Sequence, residues 1–362
     1  MIPIAKPQIG QEEKNRVLEV LDSGGLAAGK YVDEFEQEFA KYLGSEHVVA
    51  TSSGTTALHM AVEALGLGQG DKVITTPFSF IATANAIRYT GAIPIFADID
   101  PENFNLSPSS VRRTLEEHPD AKAILVVHLY GQAADMAEIM IIAKEHKLLV
   151  IEDCAQAHGA EYCGQKVGTF GNTGMFSFYP TKNMTTGEGG IMIARDLMVA
   201  EKAKSLINHG QKQRYHHEFF GYNFRMTNIH AAIGIEQLKK LDMFNAQRRS
   251  NANYYGKYIN NNLIKLPIEK STNKHVYHQY TLKIKSDREN FIKHLQENEI
   301  GYGIHYPLLI TQQPEYVRAG LNEGKTPVAL LIAEQVVSIP VHPALSKSDL
   351  DKVVETINNY RG

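Results

Sequence analysis

The chain has few cysteines and little net charge, and both features narrow what it can bind. Its two cysteines, Cys154 and Cys163, form no CxxC pair. This spacing argues against a zinc site or a disulfide framework and suits a reducing compartment. The formal net charge of −3 gives no indication of binding to nucleic acid or to an anionic membrane surface. We therefore expect neither a metal ion nor nucleic acid among its ligands.

Long apolar runs are also missing. No stretch of about 18 uninterrupted apolar residues occurs, and residues 1–21 lack the apolar core of a secretory signal peptide. The sequence contains no internal repeat, low-complexity tract or proline-rich linker. We expect a soluble cytoplasmic protein with no membrane association. A length of 362 residues predicts two domains rather than one compact core.

Short apolar runs alternate with helical patterns through the first half of the chain. Apolar residues recur at helical spacing at 57–65 and 136–146, between runs that are typical of strands. Strands separated by helices need crossover connections, which predicts an α/β domain with a large, mostly parallel sheet and helices on both faces. Ligands bind such sheets at the carboxyl ends of the strands. The predicted strands are 47–51, 72–76, 93–99, 123–128, 147–152, 175–178 and 190–194.

The pattern changes in the second half, after a loop rich in His, Lys and Tyr at 208–224. The elements predicted there are a long helix, a strand and two further helices, at 228–258, 277–284, 287–298 and 348–360. They predict a smaller C-terminal α+β domain packed on the sheet domain. We divide the chain into domains 1–240 and 241–362, with the boundary inside a long helix that could serve both.

The segment MFSFYPTKNMTTGEGG contains the first candidate for catalysis, Lys182. This lysine lies between a strand-like apolar run and a loop rich in Gly and Thr, where its amine could reach a carbonyl group. A lysine of this kind can form a Schiff base, as it does in enzymes that use pyridoxal 5′-phosphate (PLP). A single lysine in a turn is more commonly a solvated surface residue. The interpretation therefore depends on a cofactor pocket around it.

A second candidate, SSGTTAL at 52–58, follows a predicted strand and precedes a helical run. The free N–H groups and the positive dipole end of a helix's first turn favour an anion, and Gly54 allows a phosphate to approach the backbone closely. The alternative is a simple helix N-cap by Ser52 or Ser53. The segment is not a Walker A loop, and the absence of a GxGxxG pattern leaves a dinucleotide site unsupported.

Two further groups follow strand ends. In LLVIEDCAQAHGA, Asp153 could keep a pyridine nitrogen protonated and Gln156 could hydrogen-bond a ring oxygen, although Asp153 could also be a cap or turn former. In PFSFIATA, either Phe78 or Phe80 could stack on a flat ring. Aromatic residues at this spacing are more often part of a core. These four groups together describe a cofactor site that none of them describes alone.

The segments around these groups resemble one family almost from end to end. The chain is similar to the nucleotide-sugar aminotransferases of the DegT/StrS type, which are PLP enzymes of fold type I. The resemblance implies the PLP-transferase fold, with a large PLP-binding domain and a small C-terminal domain. The segments that carry it are GKYVDEFEQEFAKYLG (29–44), SSGTTAL (52–58), VVHLYGQAADM (126–136), IEDCAQAHGA (151–160), FSFYPTKNMTTGEGG (176–190), GYNFRMTNIHAAIG (221–234) and VSIPVHPALS (337–346).

The resemblance implies roles for four residues around the cofactor ring. Lys182 matches the lysine that forms the Schiff base with PLP, and Asp153 matches the partner of the pyridine nitrogen. Gln156 matches the residue that contacts the ring oxygen, and Phe80 stands where an aromatic side chain covers the ring face. One departure lies next to Asp153, where Cys154 replaces the alanine that is common in the family.

The resemblance also implies a phosphate site and a homodimer. The backbone of Gly54 and Thr55, together with the hydroxyl of Ser177, matches the phosphate site. Asn223 matches a residue that reaches the phosphate of the neighbouring subunit's cofactor. The active sites would therefore lie at the interface of a homodimer.

The implied reaction moves an amino group from L-glutamate to a nucleotide-linked 4-keto- or 3-keto-6-deoxy sugar by a ping-pong mechanism, for the biosynthesis of surface polysaccharide or glycoconjugate. His305 and Tyr306 lie in a stretch similar to a family segment near the substrate. The segment at 212–226 resembles its counterpart in perosamine-type C4 aminotransferases, and this resemblance favours amination at C4. So does the sequence at 187–190, which reads Gly-Glu-Gly-Gly where many C3 enzymes have Gly-Asp-Gly-Gly.

Two other activities remain open on the same scaffold. A PLP-dependent sugar dehydratase would be expected to have His in place of Lys182. A regulatory relative would bind PLP or a nucleotide sugar without turnover. The nucleotide is not specified, because Lys30, Lys212 and Arg214 could face a pyrophosphate or could be solvated surface charges.

Overall fold

The computed structural model describes residues 1–322 and 324–362. Its strands in chain order are β1 (His47–Thr51), β2 (Lys72–Thr75), β3 (Ile93–Phe96), β4 (Ala123–Val127), β5 (Leu149–Asp153), β6 (Glu161–Tyr162), β7 (Gln165–Lys166), β8 (Thr173–Ser177), β9 (Gly190–Ala194), β10 (Gln211–Gln213), β11 (His216–His217), β12 (Ile264–Lys265), β13 (Asn273–Lys274), β14 (Tyr280–Ile284) and β15 (Val336–Ile339).

The α-helices of the described residues are α1 (Gln11–Ser23), α2 (Lys30–Leu43), α3 (Gly54–Glu63), α4 (Ala82–Tyr89), α5 (Pro108–Glu117), α6 (Met136–His146), α7 (Leu197–Leu206), α8 (Asn228–Tyr258), α9 (Arg288–Glu297), α10 (Pro314–Arg318), α11 (Pro327–Gln335) and α12 (Lys347–Asn359). Within that part of the chain, no helix is both long enough and apolar enough to cross a membrane.

The seven predicted strands form one sheet in the order β1-β9-β8-β5-β4-β2-β3. Pairs β2/β3, β2/β4, β4/β5 and β5/β8 are parallel, whereas β9 runs antiparallel to both of its neighbours. The mostly parallel sheet predicted from the sequence is therefore confirmed. With β9 the one reversed strand, the carboxyl ends of the other six lie along one edge of the sheet.

Alternate residues of the strands supply two separate cores, one on each face of the sheet. In β4, Ile124 and Val126 pack on one face, and Ala123, Leu125 and Val127 pack on the other. Helices α2, α5, α6 and part of α8 cover the first face, and α3, α4, α7 and α11 cover the second. Burial on both faces explains why these strands are continuous apolar runs in the sequence.

The C-terminal part is a smaller α+β unit around the antiparallel sheet β12-β14-β15. Its core also includes residues from α8, α9 and α12, together with Ile2, which pairs with Ile300. Helix α8 is continuous from Asn228 to Tyr258 and contacts both α1 and α12. The division at residue 240 falls within this helix and stays a prediction.

Several elements differ from the sequence expectations, and α5, α7, α10 and α11 were not predicted individually. The predicted strand at 277–284 begins only at Tyr280, and its partner β15 was not predicted. The predicted loop at 208–224 contains the hairpin β10–β11. Helix α4 was also not predicted, because its residues were assigned to the segment that follows a strand end.

Candidate active site

A cleft of about 750 Å³ opens at the carboxyl ends of β1, β2, β4, β5 and β8. The small domain closes one side of it through residues that follow β13 and α9. The cleft is lined by nearly all of the sequence-predicted site residues, namely Gly54, Thr55, Phe80, Asp153, Gln156, Ser177, Lys182, His305 and Tyr306. Positions more than 200 residues apart in the chain thus share one cavity, as expected for a ligand site of an α/β sheet.

The first turn of α3 lies directly against the end of β8. The Ser53 hydroxyl caps the helix by accepting a hydrogen bond from the Thr56 N–H at 3.2 Å. A Cβ atom placed on Gly54 would lie 2.5 Å from the Cβ of Ser177 and 2.7 Å from its hydroxyl oxygen. Only glycine allows this approach. The N-cap alternative is correct for Ser53, and it leaves the helix start and the Ser177 hydroxyl side by side.

Asp153 ends β5 and is buried at the floor of the cleft. Its carboxylate accepts hydrogen bonds from the Thr83 hydroxyl at 2.9 Å and from the Ala155 N–H at 3.1 Å. Because Thr83 donates its only hydroxyl proton to Asp153, the Ser79 hydroxyl, 2.9 Å away, donates to Thr83. Burial raises the pKa of Asp153, and the two donors together with the charge of Lys182 act against that rise.

Lys182 is held by a tight turn that its own sequence specifies. The Lys182 N–H donates to the Tyr179 carbonyl at 2.9 Å, and Pro180 occupies the second position of the turn, where its fixed φ is favoured. Burial lowers the pKa of Lys182 to about 8, against the opposing attraction of Asp153. At pH 7 about a tenth of the amine is therefore neutral and nucleophilic, and this fraction reaches a half at a pH of about 8.

Gln156 and the aromatic residues form one wall of the cleft. The Gln156 carbonyl oxygen accepts from the Tyr130 N–H at 2.7 Å, and its amide nitrogen donates to the Tyr306 hydroxyl at 2.9 Å. Phe80 is 56% exposed, whereas Phe78 is fully buried in the core. The structure therefore decides between the two phenylalanines, and the Phe80 ring is free to contact a ligand.

The small domain adds residues to the cleft that the sequence did not indicate, His278 and Gln279. The Asn183 amide nitrogen donates to the side-chain oxygen of Asn245 at 2.8 Å. The Asn183 side-chain oxygen therefore accepts from Nδ1 of His278 at 3.3 Å. Burial and the nearby cations hold the pKa of His278 well below its usual value. His278 is thus a neutral imidazole with Nε2 as its acceptor. No spacing in the sequence connects it to Lys182.

His305 is also neutral, because burial and the charge of Lys182 lower its pKa to about 4. Its Nδ1 lies 3.0 Å from the Ser338 hydroxyl, and its carbonyl accepts from the Tyr130 hydroxyl. Burial and the charge of Asp153 raise the pKa of Tyr306. Both residues therefore offer uncharged hydrogen-bonding groups to a ligand in the cleft.

Asn223 is the one sequence-predicted site residue that does not line the cleft. It is exposed, and its backbone pairs with Asn208 at the base of the hairpin β10–β11. The hairpin carries the exposed side chains of Tyr215 and Phe220, as well as Lys212, which pairs with a neighbouring glutamate. The position of Asn223 outside the cleft is compatible with a contact to a second subunit.

Glu152 precedes Asp153 and points to the opposite face of the sheet. Its carboxylate accepts three backbone N–H bonds, all at 2.7 Å, from the loop 168–171, and it lies 3.0 Å from Nε2 of His128. Nδ1 of His128 accepts a backbone N–H, so the neutral ring donates to Glu152. Cys154 lies close to this pair, but burial keeps its thiol pKa far above the usual value. These bonds give Glu152 a structural role as an anchor of the loop.

Comparisons with curated proteins identify relatives along nearly the whole chain. It is 41% identical to a "Pleiotropic regulatory protein" of Geobacillus stearothermophilus, over 95% of this chain and 93% of the relative. It is 39% identical to the "dTDP-3-amino-3,6-dideoxy-alpha-D-galactopyranose transaminase" of Aneurinibacillus thermoaerophilus (97% and 94%). It is 36% identical to the "GDP-perosamine synthase" of Caulobacter vibrioides (99% and 97%).

The fold also matches solved structures. DesV of S. venezuelae, crystallised in complex with a ketimine intermediate, superposes with a TM-score of 0.92 at 35% identity, over 96% of this chain and 94% of that one. The model of the DegT/DnrJ/EryC1/StrS aminotransferase family matches residues 7–358. The chain therefore belongs to this family of aminotransferases, whose cofactor is PLP.

Proposed function

We propose that the protein transfers an amino group from L-glutamate to a keto group of a nucleotide-linked sugar, with PLP as cofactor. The observation that carries the proposal is the shared cleft of Lys182 and Asp153, at the edge of the sheet where the start of α3 meets Ser177. A buried lysine with a lowered pKa, opposite a buried carboxylate, is the pair that a pyridine aldehyde requires.

The residues of the cleft fit PLP group by group. The N–H groups of Gly54 and Thr55 and the Ser177 hydroxyl would hold the phosphate, since they combine a helix N-terminus with a hydroxyl donor. Asp153 would pair with the ring nitrogen, held in orientation by Thr83. The bound cofactor supplies an electron sink for charge that develops on a substrate carbon.

The aromatic wall and Gln156 fit the remaining parts of the cofactor ring. Phe80 would cover one face, because its ring is exposed to the cleft without a covering side chain. Gln156 would contact the ring oxygen with the amide nitrogen that donates to Tyr306 here. The orientation of Gln156 does not depend on this bond alone, since its carbonyl oxygen is held by the Tyr130 N–H.

Lys182 would move the proton during transamination. Once its Nζ is free, an amine with a pKa of about 8 accepts a proton from the Cα of the amino donor near neutral pH. The same nitrogen would return a proton during the reverse sequence, when the keto sugar is aminated. The two histidines that line the cleft, His278 and His305, are kept neutral by burial.

The substrate is a keto sugar carried on a nucleotide, with amination at C4 favoured over C3. Relatives named as a perosamine synthase and as a 3-amino-sugar transaminase have similar identity to the chain, which supports the substrate class for both carbons. The preference for C4 rests on the sequences at 212–226 and 187–190. His305 and Tyr306 would contact the sugar as neutral hydrogen-bonding groups. We expect the enzyme in the cytoplasm, in surface polysaccharide or glycoconjugate biosynthesis.

The activity is tested with glutamate and a panel of 4-keto and 3-keto nucleotide sugars, with mass spectrometry of the amino-sugar product. Lys182→Ala should abolish turnover and the cofactor's Schiff-base absorbance. Lys293→Ala, at an exposed position on α9, should leave both unchanged. Turnover by the Lys182→Ala variant would contradict the proposal. Product from the 3-keto sugars alone would reject only the preference for C4.

A second candidate function is regulatory binding without turnover, which the name of the Geobacillus relative favours. A protein of this kind would bind PLP but would release no 2-oxoglutarate from glutamate with any keto sugar in the panel. A sugar dehydratase would instead consume the sugar without an amino donor. Lys182 argues against a sugar dehydratase, because the dehydratases of this family are expected to have His at this position.

We also propose a homodimer with shared active sites, in which Asn223 of one subunit reaches the cofactor phosphate held by the other. Lys182→Ala and Asn223→Ala variants can be unfolded together and refolded as a mixture. If sites are shared, each mixed dimer has one intact site, and activity returns to about a quarter of the wild-type value in a two-fold symmetric dimer. If each site is built within one subunit, mixing restores nothing.

A further inference from the structure

A small cavity lies behind the Lys182 turn, on the side of α8 and the N-terminal segment. It is partly open to solvent and has a volume of about 20 Å³, which is room for one water molecule or one ion of similar size. Its lining contains the cationic residues Lys6, Lys182 and Arg248 and no carboxylate. All charged side chains that line the cavity are therefore cationic.

Among residues 1–322 and 324–362, Arg248 is a buried cation without an acidic partner. Its side chain is 5% exposed, and its Nη1 donates to the carbonyl oxygens of Tyr277 and His278, both at 3.3 Å. Its Nε is buried and has no hydrogen-bond partner among the described residues. Burial lowers the pKa of Arg248 to about 10, so the guanidinium stays charged at neutral pH.

The next residue on the same helix, Arg249, has the acidic partner that a buried arginine usually has. Arg249 pairs with Glu269 at 2.5 Å and donates to the His275 carbonyl at 2.7 Å. Both arginines thus contact backbone carbonyls of the same segment, but only one has a carboxylate. An unpaired buried charge is costly relative to a paired one, so a counter-ion at Arg248 would stabilise the fold.

Other groups near Arg248 do not supply the missing negative charge. The imidazoles of His158, His278 and His342 each have a lowered pKa, partly because of the Arg248 charge, and are neutral. Asp349 feels the charge of Lys6, but its carboxylate is held by the N–H and hydroxyl of the Ser346 cap, and it does not line the cavity.

We infer that this cavity binds one small monovalent anion, of the size of chloride. The anion would accept charge-assisted hydrogen bonds from the guanidinium of Arg248, and Lys6 and the Lys182 turn also line the cavity. A volume of about 20 Å³ matches one small ion rather than a phosphate ester or a whole amino acid. The site is therefore separate from the larger cleft, although Lys182 lines both.

Bromide is the probe, because it replaces chloride and scatters anomalously. Crystals of the unmodified holoenzyme soaked in sodium bromide should show an anomalous peak at hydrogen-bond distance from the Arg248 guanidinium. The peak should be absent in Arg248→Met and present in Arg249→Met. A cavity without bromide in well-diffracting crystals of the unmodified protein overturns the inference, whether or not Arg248→Met folds.

Solution measurements provide a second readout. The unfolding midpoint of the holoenzyme should be higher in sodium chloride than in sodium gluconate at equal ionic strength, since an anion that binds only the folded state stabilises it. This difference should persist in Arg249→Met and vanish in Arg248→Met. An equal difference in both variants would mean that the chloride effect arises elsewhere and would contradict the site.

A consequence for Lys182 rests on the proposed function. An anion beside Lys182 favours the protonated form of its nitrogen, so the pH at which the cofactor's visible band changes should rise with chloride concentration. The bromide experiment does not depend on PLP. Bromide binding without turnover would therefore reject the proposed activity and keep the anion site. Turnover without bromide binding would reject the anion site and keep the proposed activity.

Discussion

Replacing Gly54 with alanine tests whether the close approach of α3 to β8 is what forms the phosphate site. The added Cβ would lie 2.5 Å from the Cβ of Ser177 and 3.1 Å from its Cα. Carbon atoms normally pack at about 3.5–4.0 Å, so one of the two elements must move by about 1 Å. The backbone φ of Gly54 is not in the left-handed region, so the change adds a clash without backbone strain.

The clash sets the expected magnitudes. Overpacking of this kind costs about 1–3 kcal/mol of unfolding free energy. A shift of about 1 Å between the helix start and Ser177 should remove at least one hydrogen bond to the phosphate, and bonds to charged groups contribute about 1.5–3 kcal/mol. The affinity for PLP should therefore fall by roughly ten- to a hundred-fold.

Denaturant unfolding of the apoprotein and titration with PLP measure the two effects separately. Gly256→Ala is the matched control, because Gly256 lies on the exposed part of α8 and nothing lies within 4 Å of an added Cβ. That variant should be about 1 kcal/mol more stable and should bind PLP normally. A Gly54→Ala protein with wild-type PLP affinity would refute the placement of the phosphate between α3 and Ser177.

Three further predictions concern the groups around the cleft. Because burial shifts the pKa of Lys182 down to about 8, the rate of the glutamate half-reaction should rise as pH increases through about 8 and then level off; a midpoint near 10.5 would contradict the burial argument. Thr83→Val should weaken PLP binding by about ten-fold or more, since the hydroxyl that orients Asp153 is lost and bonds to charged groups contribute about 1.5–3 kcal/mol, whereas Thr83→Ser should bind PLP normally. Glu152→Gln should lower the unfolding free energy by about 1–3 kcal/mol for each N–H donor left without an acceptor, because the glutamine amide nitrogen would face donors that now meet a buried carboxylate; unchanged denaturant unfolding would show that these bonds are not needed.

Local features of the chain predicted which residues of the sheet domain line the cleft. The start of α3 at Gly54 is specified by the Ser53 cap, and the turn around Lys182 is specified by Pro180. Asp153 follows an apolar run, and such runs end at the ligand edge of a parallel sheet. Each of these signals is local, so it can be recognised in the sequence without knowledge of the tertiary fold.

The small-domain side could not be predicted in the same way. His278 and Gln279 enter the cleft because the segment before β14 crosses back to the sheet domain, and no periodicity records that contact. Likewise, Arg248 and Arg249 look alike in the sequence. Only the packing of α8 gives one of them a carboxylate and leaves the other without one.

The sequence by itself determined the fold class, the cofactor and the order of the groups that meet it, because strand ends, caps and turns are encoded by neighbouring residues. The tertiary structure decided which member of each pair faces the cleft. Successive residues of a strand point to opposite faces, so only the placement of the helices assigns Asp153 to the cleft and Glu152 to the interior. Packing likewise buries Phe78 in the core and leaves Phe80 exposed.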